Sequence, residues 1–485
     1  MENLSAETIG ALGLAALLLL LLARVPVGLA MVAVGIGGNY VLSLALPYLR
    51  FEPYLRNFKT LLFDTVSSYE LSVVPLFILM GFLASEAGLS RDLFHGLSTL
   101  IGRIRGGVAM AAVLACGAFG AVCGSSLATA STMGRVALPE LARLNYAPRL
   151  AAGTLAAGGT LGILIPPSVA LVLYAIIVEA SIIEMFQAAI VPGILAILFF
   201  LTVIWWQVRR NPAIAPLPIS MERDERRQAI RRLLPVVAIF GVIIAGLGLG
   251  LFTPTPAAAI GASVILLYGI ALRLRAKRSG TDGGLSRAGL SRQGLARSLL
   301  STANTAGMIY FIVFGAEVLK GFLTRAGLPA ALAGWANGSG LDPWLILIGF
   351  LLILIVLGCF LDSLAMILVV VPFFWPALLE LNGGDFVSAS DAVFDMDGEA
   401  LKIWFGIIAL VVVELGLITP PVGLNVFIIA SIAQSTSGPG GQSQRAAMAD
   451  TFAGVMPFFG IELVRVALLL ALPGLCLFLP SWLGS

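Results

Sequence analysis

Apolar segments recur along the whole of this 485-residue chain, and no other feature restricts its possible folds so strongly. Each is close to the roughly 20 residues that a helix needs to cross the hydrocarbon core of a bilayer. Charged residues make up only 11% of the chain, whereas an ordinary soluble domain carries roughly 25%. So few charges cannot cover a water-soluble surface, and the chain is predicted to be an all-α integral membrane protein.

Ten segments are candidate membrane crossings: 7–23, 27–46, 72–88, 150–179, 183–208, 233–252, 255–272, 300–323, 402–432 and 450–480. The first follows an acidic start and lacks the basic start of a signal peptide, so it is interpreted as a retained helix. Two further blocks, 106–142 and 342–381, each have apolar arms that meet at a small or polar midpoint. Irregular backbone at membrane depth must be satisfied by protein or by enclosed water, so both blocks are interpreted as re-entrant hairpins.

Basic residues are concentrated in the loops 209–232 and 273–297, which places these loops in the cytoplasm. Counting crossings from these loops puts both termini outside and makes the two hairpins enter from opposite sides. Arg50, Arg56 and Lys59 fall outside by this count and are assigned to an amphipathic helix at the membrane interface. The acidic insertion 383–401 also falls outside, either as an uninvolved solvated loop or as part of a docking face.

The two halves of the sequence contain an internal repeat. A shift of 237 residues aligns Ser126-Leu127-Ala128 with Ser363-Leu364-Ala365, and a shift of 254 aligns the Pro-Pro pairs of 162–167 and 416–421. Each half therefore has a hairpin followed by a helix interrupted at Pro-Pro, in opposite membrane orientations. Inverted repeats with broken helices are typical of secondary transporters whose site lies near the bilayer midplane.

This repeat predicts four regions. They are N-terminal scaffold helices with an interfacial helix (1–90), a first repeat with hairpin 106–142 and broken helix 150–179 (91–208), basic loops with further scaffold helices (209–340), and a second repeat with hairpin 342–381 and broken helix 402–432 (341–485).

The Pro-Pro pairs Pro166-Pro167 and Pro420-Pro421 must interrupt their helices, because proline lacks an N–H group and its ring excludes the preceding turn. Freed carbonyls at such breaks suit Na⁺, and half-helix N-termini favour an anionic substrate. One Pro-Pro pair alone would more often be a structural kink. Two pairs at matched positions beside polar hairpin tips favour a binding function.

Several polar residues near these breaks each have two candidate roles, one in binding and one in structure. Asp362 at the second tip either coordinates a cation or holds the hairpin through hydrogen bonds to freed N–H groups. Ser125, Ser126 and Thr129 at the first tip either bind ligand or bond back to helix carbonyls. Glu414 precedes the second break and would support it electrostatically.

Other ionisable groups suggest structural roles. Glu462 with Arg465, and Glu317 with Lys320, stand three residues apart on a helix face and are predicted to form structural ion pairs. The four cysteines lie in apolar runs and are predicted to be reduced and buried. His95 is the only histidine, which argues against an intramembrane enzyme, because such an enzyme needs positioned acid and base groups. The small net charge of +3 argues against a nucleic-acid partner.

These motifs resemble the large membrane subunit of TRAP (tripartite ATP-independent periplasmic) transporters, the DctM family. The resemblance extends over nearly the whole chain. Its most specific motifs are Gly124–Thr129, Gly158–Ser168, Phe360–Asp362 and Glu414–Asn425.

The resemblance implies a multi-pass protein of the bacterial inner membrane with the elevator-type fold of the ion-transporter superfamily. It would import a small organic acid, a carboxylate or a sulfonate, together with Na⁺, the coupling ion, and would need no other cofactor. A separate small DctQ-like membrane subunit and a periplasmic DctP-like substrate-binding protein would be its partners. The alternative that remains open is a stand-alone ion-coupled carrier that needs no receptor.

Site residues implied by the resemblance form three groups. The first Na⁺ site would involve Cys123, Ser125, Gly162, Ile165 and Pro166. The second Na⁺ site would involve Gly358, Asp362, Gly416 and Thr419. The substrate would lie near Ser126, Thr129, Pro167, Ser168 and Asn425. Cys123 departs from the serine that relatives often have, which matters little if only its backbone carbonyl binds. The acidic insertion is longer than expected, and the substrate itself is not indicated by the sequence.

Overall fold

The chain folds into α-helices joined by short turns and loops. A computed structural model describes residues 5–46, 48–217, 223–278, 289–384, 386–436 and 444–483, and within these ranges it contains no β-strand. The predicted all-helical class is therefore confirmed. Parts of both basic loops, and Asp385 of the acidic insertion, lie outside the described residues.

The N-terminal region contains five helices: α1 (Ala6–Leu22), α2 (Val27–Ala45), α3 (Phe51–Ser67), α4 (Val73–Ala87) and α5 (Leu89–Ile101). The predicted amphipathic helix is α3, and Arg50, Arg56 and Lys59 are exposed along it. Its attachment to the membrane interface stays a prediction. Helix α5 was not predicted, because it has only 13 residues and carries Arg91, Asp92 and His95 on the face opposite its buried residues.

The first predicted repeat contains α6 (Gly107–Cys123), α7 (Ser126–Arg143), α8 (Pro148–Leu164), α9 (Val169–Val178) and α10 (Ile182–Arg210). Side-chain oxygens of Ser125, Ser168 and Ser181 accept hydrogen bonds from the first turns of α7, α9 and α10. These N-caps satisfy backbone groups that a helix end leaves without partners. The sequence therefore fixes where these three helices begin.

The central region contains α11 (Arg223–Gly248), α12 (Pro254–Arg278), α13 (Arg292–Arg325) and α14 (Leu328–Gly338). Helix α13 packs against α2, α3 and α4, and α12 packs against α4, so these helices belong to the same bundle as the N-terminal ones. Helix α14 was not predicted. Its 11 residues are too few for a crossing, and they contact α16 and α1.

The second predicted repeat contains α15 (Pro343–Gly358), α16 (Ser363–Leu381), α17 (Gly398–Gly416), α18 (Leu424–Thr436), α19 (Gln444–Ala471) and α20 (Gly474–Leu483). The predicted single crossing at 450–480 is wrong, because the chain breaks at Leu472 and Pro473 between α19 and α20. Proline cannot continue the helical hydrogen bonding at that point.

Eight of the described helices are long and apolar enough to cross a membrane, or nine spans if the bent pair α8 and α9 is counted as one. Helices α8 and α9 meet at 44° around the first Pro-Pro pair. Among the helices of the two predicted hairpins, α16 is long and apolar enough by itself to be a span. The re-entrant character of the blocks 106–142 and 342–381 therefore stays a prediction.

Helix α8 lies at the centre of the packing. It contacts α6, α7, α18 and α19, and every residue from Leu150 to Leu164 is buried. Seven of its residues are Gly or Ala between Ala151 and Gly159, so neighbouring backbones can approach closely. The second half contributes α18 and α19 to this contact, which joins the two predicted repeats.

The acidic insertion is folded onto the second repeat. Asn382 is fully buried; its amide nitrogen donates to the Met396 carbonyl at 2.9 Å, and its amide oxygen accepts from the Phe394 N–H at 3.0 Å. Phe394 packs edge to face against Trp344 of α15. Asp391, Asp395, Asp397 and Glu399 alternate with buried residues and are exposed. The insertion is thus a fixed ledge with an acidic outer face.

Candidate ion and substrate site

The first hairpin tip lies directly against the first helix break. Helix α6 ends at Cys123, Gly124 follows in the left-handed conformation with φ of 61°, and α7 begins at Ser126. A side chain on Gly124 would come within 3.1 Å of the Val169 nitrogen and 3.5 Å of the Pro167 carbonyl oxygen. Only glycine combines this φ with so little space.

Gly162 joins the break to the tip. A β-carbon at Gly162 would lie 2.8 Å from the Ser125 carbonyl oxygen and would also meet the Thr129 hydroxyl group. On its other side, Gly162 approaches Gly120 of α6 backbone to backbone. The structure therefore brings Ser125 and Gly162 of the predicted first ion site beside Thr129 of the predicted substrate group.

The remaining residues of the predicted first ion site surround this point. Ile165 is the C-cap of α8 and is half-buried, and Pro166 is buried with a cis bond to Pro167. Cys123 is half-buried at the end of α6, and its backbone lies against Gly81 of α4. Carbonyl and hydroxyl oxygens are the ligands that hard cations prefer, so this donor set suits Na⁺.

The second tip and the second break form a similar contact. A β-carbon at Gly358 would lie 3.1 Å from the Gly416 α-carbon, and the Cys359 thiol donates to the Pro420 carbonyl at 3.5 Å. Asp362 occupies the N-cap position of α16 and is half-buried. The Thr419 hydroxyl donates to the Leu415 carbonyl at 2.5 Å, which orients its oxygen and leaves the oxygen's lone pairs available to a cation. The residues of the predicted second Na⁺ site are thus neighbours.

The two breaks differ in exposure. Pro166 and Pro167 are buried, whereas Pro420 and Pro421, which also share a cis bond, are exposed. The second break is also longer: it extends from Leu417 to Gly423, and the first extends from Ile165 to Ser168.

Predicted substrate residues from both halves converge where α18 packs against α7 and α8. The Asn425 side-chain nitrogen lies 3.2 Å from the position a β-carbon would take on Gly159. Both amide atoms of Asn425, and the hydroxyl oxygen of Thr129, are buried without a hydrogen-bond partner among the described residues. Buried polar atoms are nearly always paired, so atoms without a partner in the protein are unusual. Their position indicates a place where a polar ligand can bind.

Three other predicted substrate residues are engaged elsewhere or offer backbone only. The Ser168 hydroxyl accepts from the Leu171 N–H at 3.4 Å as the cap of α9. Pro167 is buried and has no N–H to donate. The Ser126 hydroxyl donates to Glu414 at 2.5 Å. The structure therefore anchors the Ser126 and Ser168 hydroxyls at helix N-termini, each by one hydrogen bond.

Glu414 has a larger place in the site than the sequence suggested. One oxygen of its carboxylate accepts from Ser126, and the other accepts from Ser363 at 2.8 Å. It therefore joins both hairpin tips to the end of α17. Its contact with Ser126 crosses 288 sequence positions, and no local sequence signal predicts it.

The predicted structural ion pairs have different outcomes. The pair Glu462 and Arg465 is confirmed; it is buried, and Arg465 also donates to the Pro192 carbonyl at 3.2 Å. The pair Glu317 and Lys320 is wrong: no ion pair joins them in the described part of the chain. They line a cavity of about 370 Å³ between α3 and α13 instead.

The sequence is similar to those of known membrane transport proteins. The sequence matches the family described as the DctM component of tripartite ATP-independent periplasmic transporters over residues 14–475. It is 35% identical over 446 residues to the C4-dicarboxylate TRAP transporter large permease protein DctM of Pseudomonas aeruginosa, covering 91% of this chain and 94% of that protein. It is 26% identical over 380 residues to the isethionate TRAP transporter permease protein DctMQ of Oleidesulfovibrio alaskensis, covering 77% of this chain and 54% of that protein.

The fold also resembles a solved structure. The crystal structure of the Alcanivorax borkumensis YdaH transporter matches with a TM-score of 0.59 and 16% identity, covering 87% of this chain and 89% of that one. At this identity the likeness concerns the fold alone.

Proposed function

The chain belongs to the DctM family, the large membrane component of tripartite ATP-independent periplasmic transporters, and we propose that it is a Na⁺-coupled importer of a small organic anion. Its relatives are permeases, which move a substrate and do not convert it. Carboxylates and sulfonates are the proposed substrate class. The named relatives transport a C4-dicarboxylate and isethionate, which is a sulfonate.

One observation carries the proposal: buried polar atoms without partners lie where the two halves meet. Thr129 and Asn425 present these atoms beside the Ser125 carbonyl and the glycines of α8. The helix breaks leave carbonyl oxygens for Na⁺, and the N-termini of α7, α9, α16 and α18 carry partial positive charge for an anion. The predicted Na⁺ residues are thus neighbours of the predicted substrate residues, an arrangement that suits coupled transport.

The elevator motion, the inner-membrane location and the partners are parts of the same proposal. In it, the hairpins and broken helices move against the bundle of α1–α4 and α11–α13. A small membrane subunit stabilises that bundle, and a soluble periplasmic protein delivers the substrate. The exposed acidic face of the insertion 383–401 is the proposed outer surface nearest the delivery side.

The test is uptake of radiolabelled succinate, malate or isethionate into proteoliposomes that contain the chain and its small subunit. Four conditions combine the presence or absence of the receptor with the presence or absence of an inward Na⁺ gradient. We expect uptake only when both are present. Uptake that needs Na⁺ but no receptor would replace the proposal with a stand-alone carrier, and uptake indifferent to Na⁺ would refute the coupling.

A further inference from the structure

Glu414 lies at the meeting point of two helix N-termini. Its side chain is 3% exposed at the end of α17. Ser126, the first residue of α7, donates to one carboxylate oxygen at 2.5 Å. Ser363, the first residue of α16, donates to the other at 2.8 Å. One carboxylate thus holds the tips of both predicted hairpins, each through a separate oxygen.

The charge of Glu414 has no cationic partner. None of the ion pairs within 4.0 Å among the described side chains includes it. Asp362 and Glu462, the ionisable residues that act on it electrostatically, are both acidic. Two hydroxyl groups and the partial positive charges of two helix ends therefore stabilise the carboxylate. A cation bound nearby would supply the full positive charge that no described side chain places beside the carboxylate.

Both predicted cation sites adjoin this carboxylate. Ser125 of the first site precedes Ser126, and Asp362 of the second site precedes Ser363. Gly416 of the second site follows Glu414 by two residues. A cation that moves one tip therefore moves the hydroxyl group bonded to Glu414, and with it the carboxylate that holds the other tip.

We propose that Glu414 is the positioning residue that couples the two Na⁺ sites, so that occupation of one raises the affinity of the other. This inference rests on the proposed function, since it requires that two Na⁺ ions bind. Coupling between sites is reciprocal, and a shared group that holds both tips provides it without a long chain of contacts. Glu414 itself need not touch either ion.

The test compares the Na⁺ dependence of substrate uptake in wild-type proteoliposomes with that of Glu414→Gln. Glutamine keeps the size of the side chain and removes its charge. We expect a Hill coefficient close to 2 in the wild type and close to 1 in the variant, with the half-saturating Na⁺ concentration raised about 10-fold. A merely structural role would lower the maximal rate and leave the Hill coefficient unchanged.

Single variants separate the two arms. Ser126→Ala and Ser363→Ala should each reduce the Hill coefficient, and neither should change it further in the Glu414→Gln background, because all three act as one unit. Thr160→Val is the matched control. It occupies the position of Glu414 in the first half, is buried, and bonds only to the Ala157 carbonyl at 2.6 Å. Its Hill coefficient should equal that of the wild type.

A second readout covers variants that transport too slowly. The Na⁺-dependent rise in melting temperature of the detergent-purified complex should be cooperative in the wild type and non-cooperative in Glu414→Gln. An unchanged Hill coefficient in Glu414→Gln, or a wild-type value of 1, overturns the coupling role while the proposed function stands. A wild type that responds to no Na⁺ in either assay refutes the proposed function itself.

Discussion

The two halves of the molecule share a backbone framework but not their chemistry. In the first half, Gly162 of a broken helix lies against Gly120 and the tip of Ser125; in the second, Gly416 lies against Gly358. The side chains at matched positions differ: Ser125 aligns with Asp362, and Thr160 aligns with Glu414. Both carboxylates at the tips and breaks, half-buried Asp362 and buried Glu414, therefore belong to the second half.

This difference shows what the repeat preserves. Close backbone contact between a glycine of the break and the arm of the hairpin recurs, because broken helices at membrane depth need enclosed partners. Charge does not recur, and a single carboxylate, Glu414, serves both tips. Four sets of variants distinguish a backbone framework that is equivalent in the two halves from side-chain chemistry that differs between them.

The largest effect should come from the framework. Gly162→Ala and Gly416→Ala each place a β-carbon against backbone atoms of the opposing arm. We expect each to lower uptake on the order of 100-fold, since small displacements of a binding geometry cost that much. Gly349→Ala is the control, because nothing lies within 4 Å of its β-carbon position on α15. If only one of the two breaks tolerates alanine, the framework is not equivalent in the two halves.

A smaller effect should separate the chemistry of the tips. Asp362→Asn should raise the half-saturating Na⁺ concentration roughly 30-fold, because interactions with a charged oxygen are the stronger ones. Ser125→Ala should raise it about 3-fold or less, since the Ser125 carbonyl, not its hydroxyl, faces Gly162. The measurement is uptake against external Na⁺. Equal effects at the two tips would contradict the assignment of charge to the second half.

The free polar atoms of the substrate region give a two-sided prediction. Thr129→Val removes a buried hydroxyl without a partner, so the detergent-purified chain should gain about 1 kcal/mol of stability when no substrate is present. The same change should raise the substrate KM about 5-fold. Asn425→Leu should behave alike. Thermal unfolding and uptake kinetics measure the two sides, and a variant that loses stability would show that these atoms have partners in the protein.

The smallest effect is expected at Cys123. Only its backbone is predicted to contribute to the first ion site. Cys123→Ser should therefore change the half-saturating Na⁺ concentration less than about 2-fold, the small effect expected where no specific interaction is lost. Uptake against Na⁺ again provides the measurement. A larger change would assign the side chain a direct contact with the ion.

Much of this framework could be predicted because its signals are local. Gly124, Pro166 and Pro420 mark the tips and breaks by their own backbone chemistry, and the structure places helix ends beside them. Contacts between distant segments could not be predicted in the same way. The two bonds of Glu414 depend on how α7, α16 and α17 pack, and the clip formed by Asn382 depends on where the insertion folds back.

Misplaced elements have equally physical reasons. Helix α5 is short and has one polar face, so a search for long apolar segments passes over it. Spacing alone placed Glu317 and Lys320 on one helix face, but these side chains line a cavity beside α3, whereas Glu462 and Arg465 are buried against each other. Periodicity identifies which residues share a face, and only packing determines what that face meets.

The burial of the cysteines has a practical use in spectroscopy. Cys116, Cys359 and Cys476 are at most 4% exposed, and thiols shielded from water react slowly with labelling reagents. Replacing half-buried Cys123 would leave a background in which a newly introduced surface cysteine takes up a spin label or dye selectively. One label on α13 and another near Ser388 on the acidic ledge would then report the distance between the N-terminal bundle and the second repeat as Na⁺ and substrate are added.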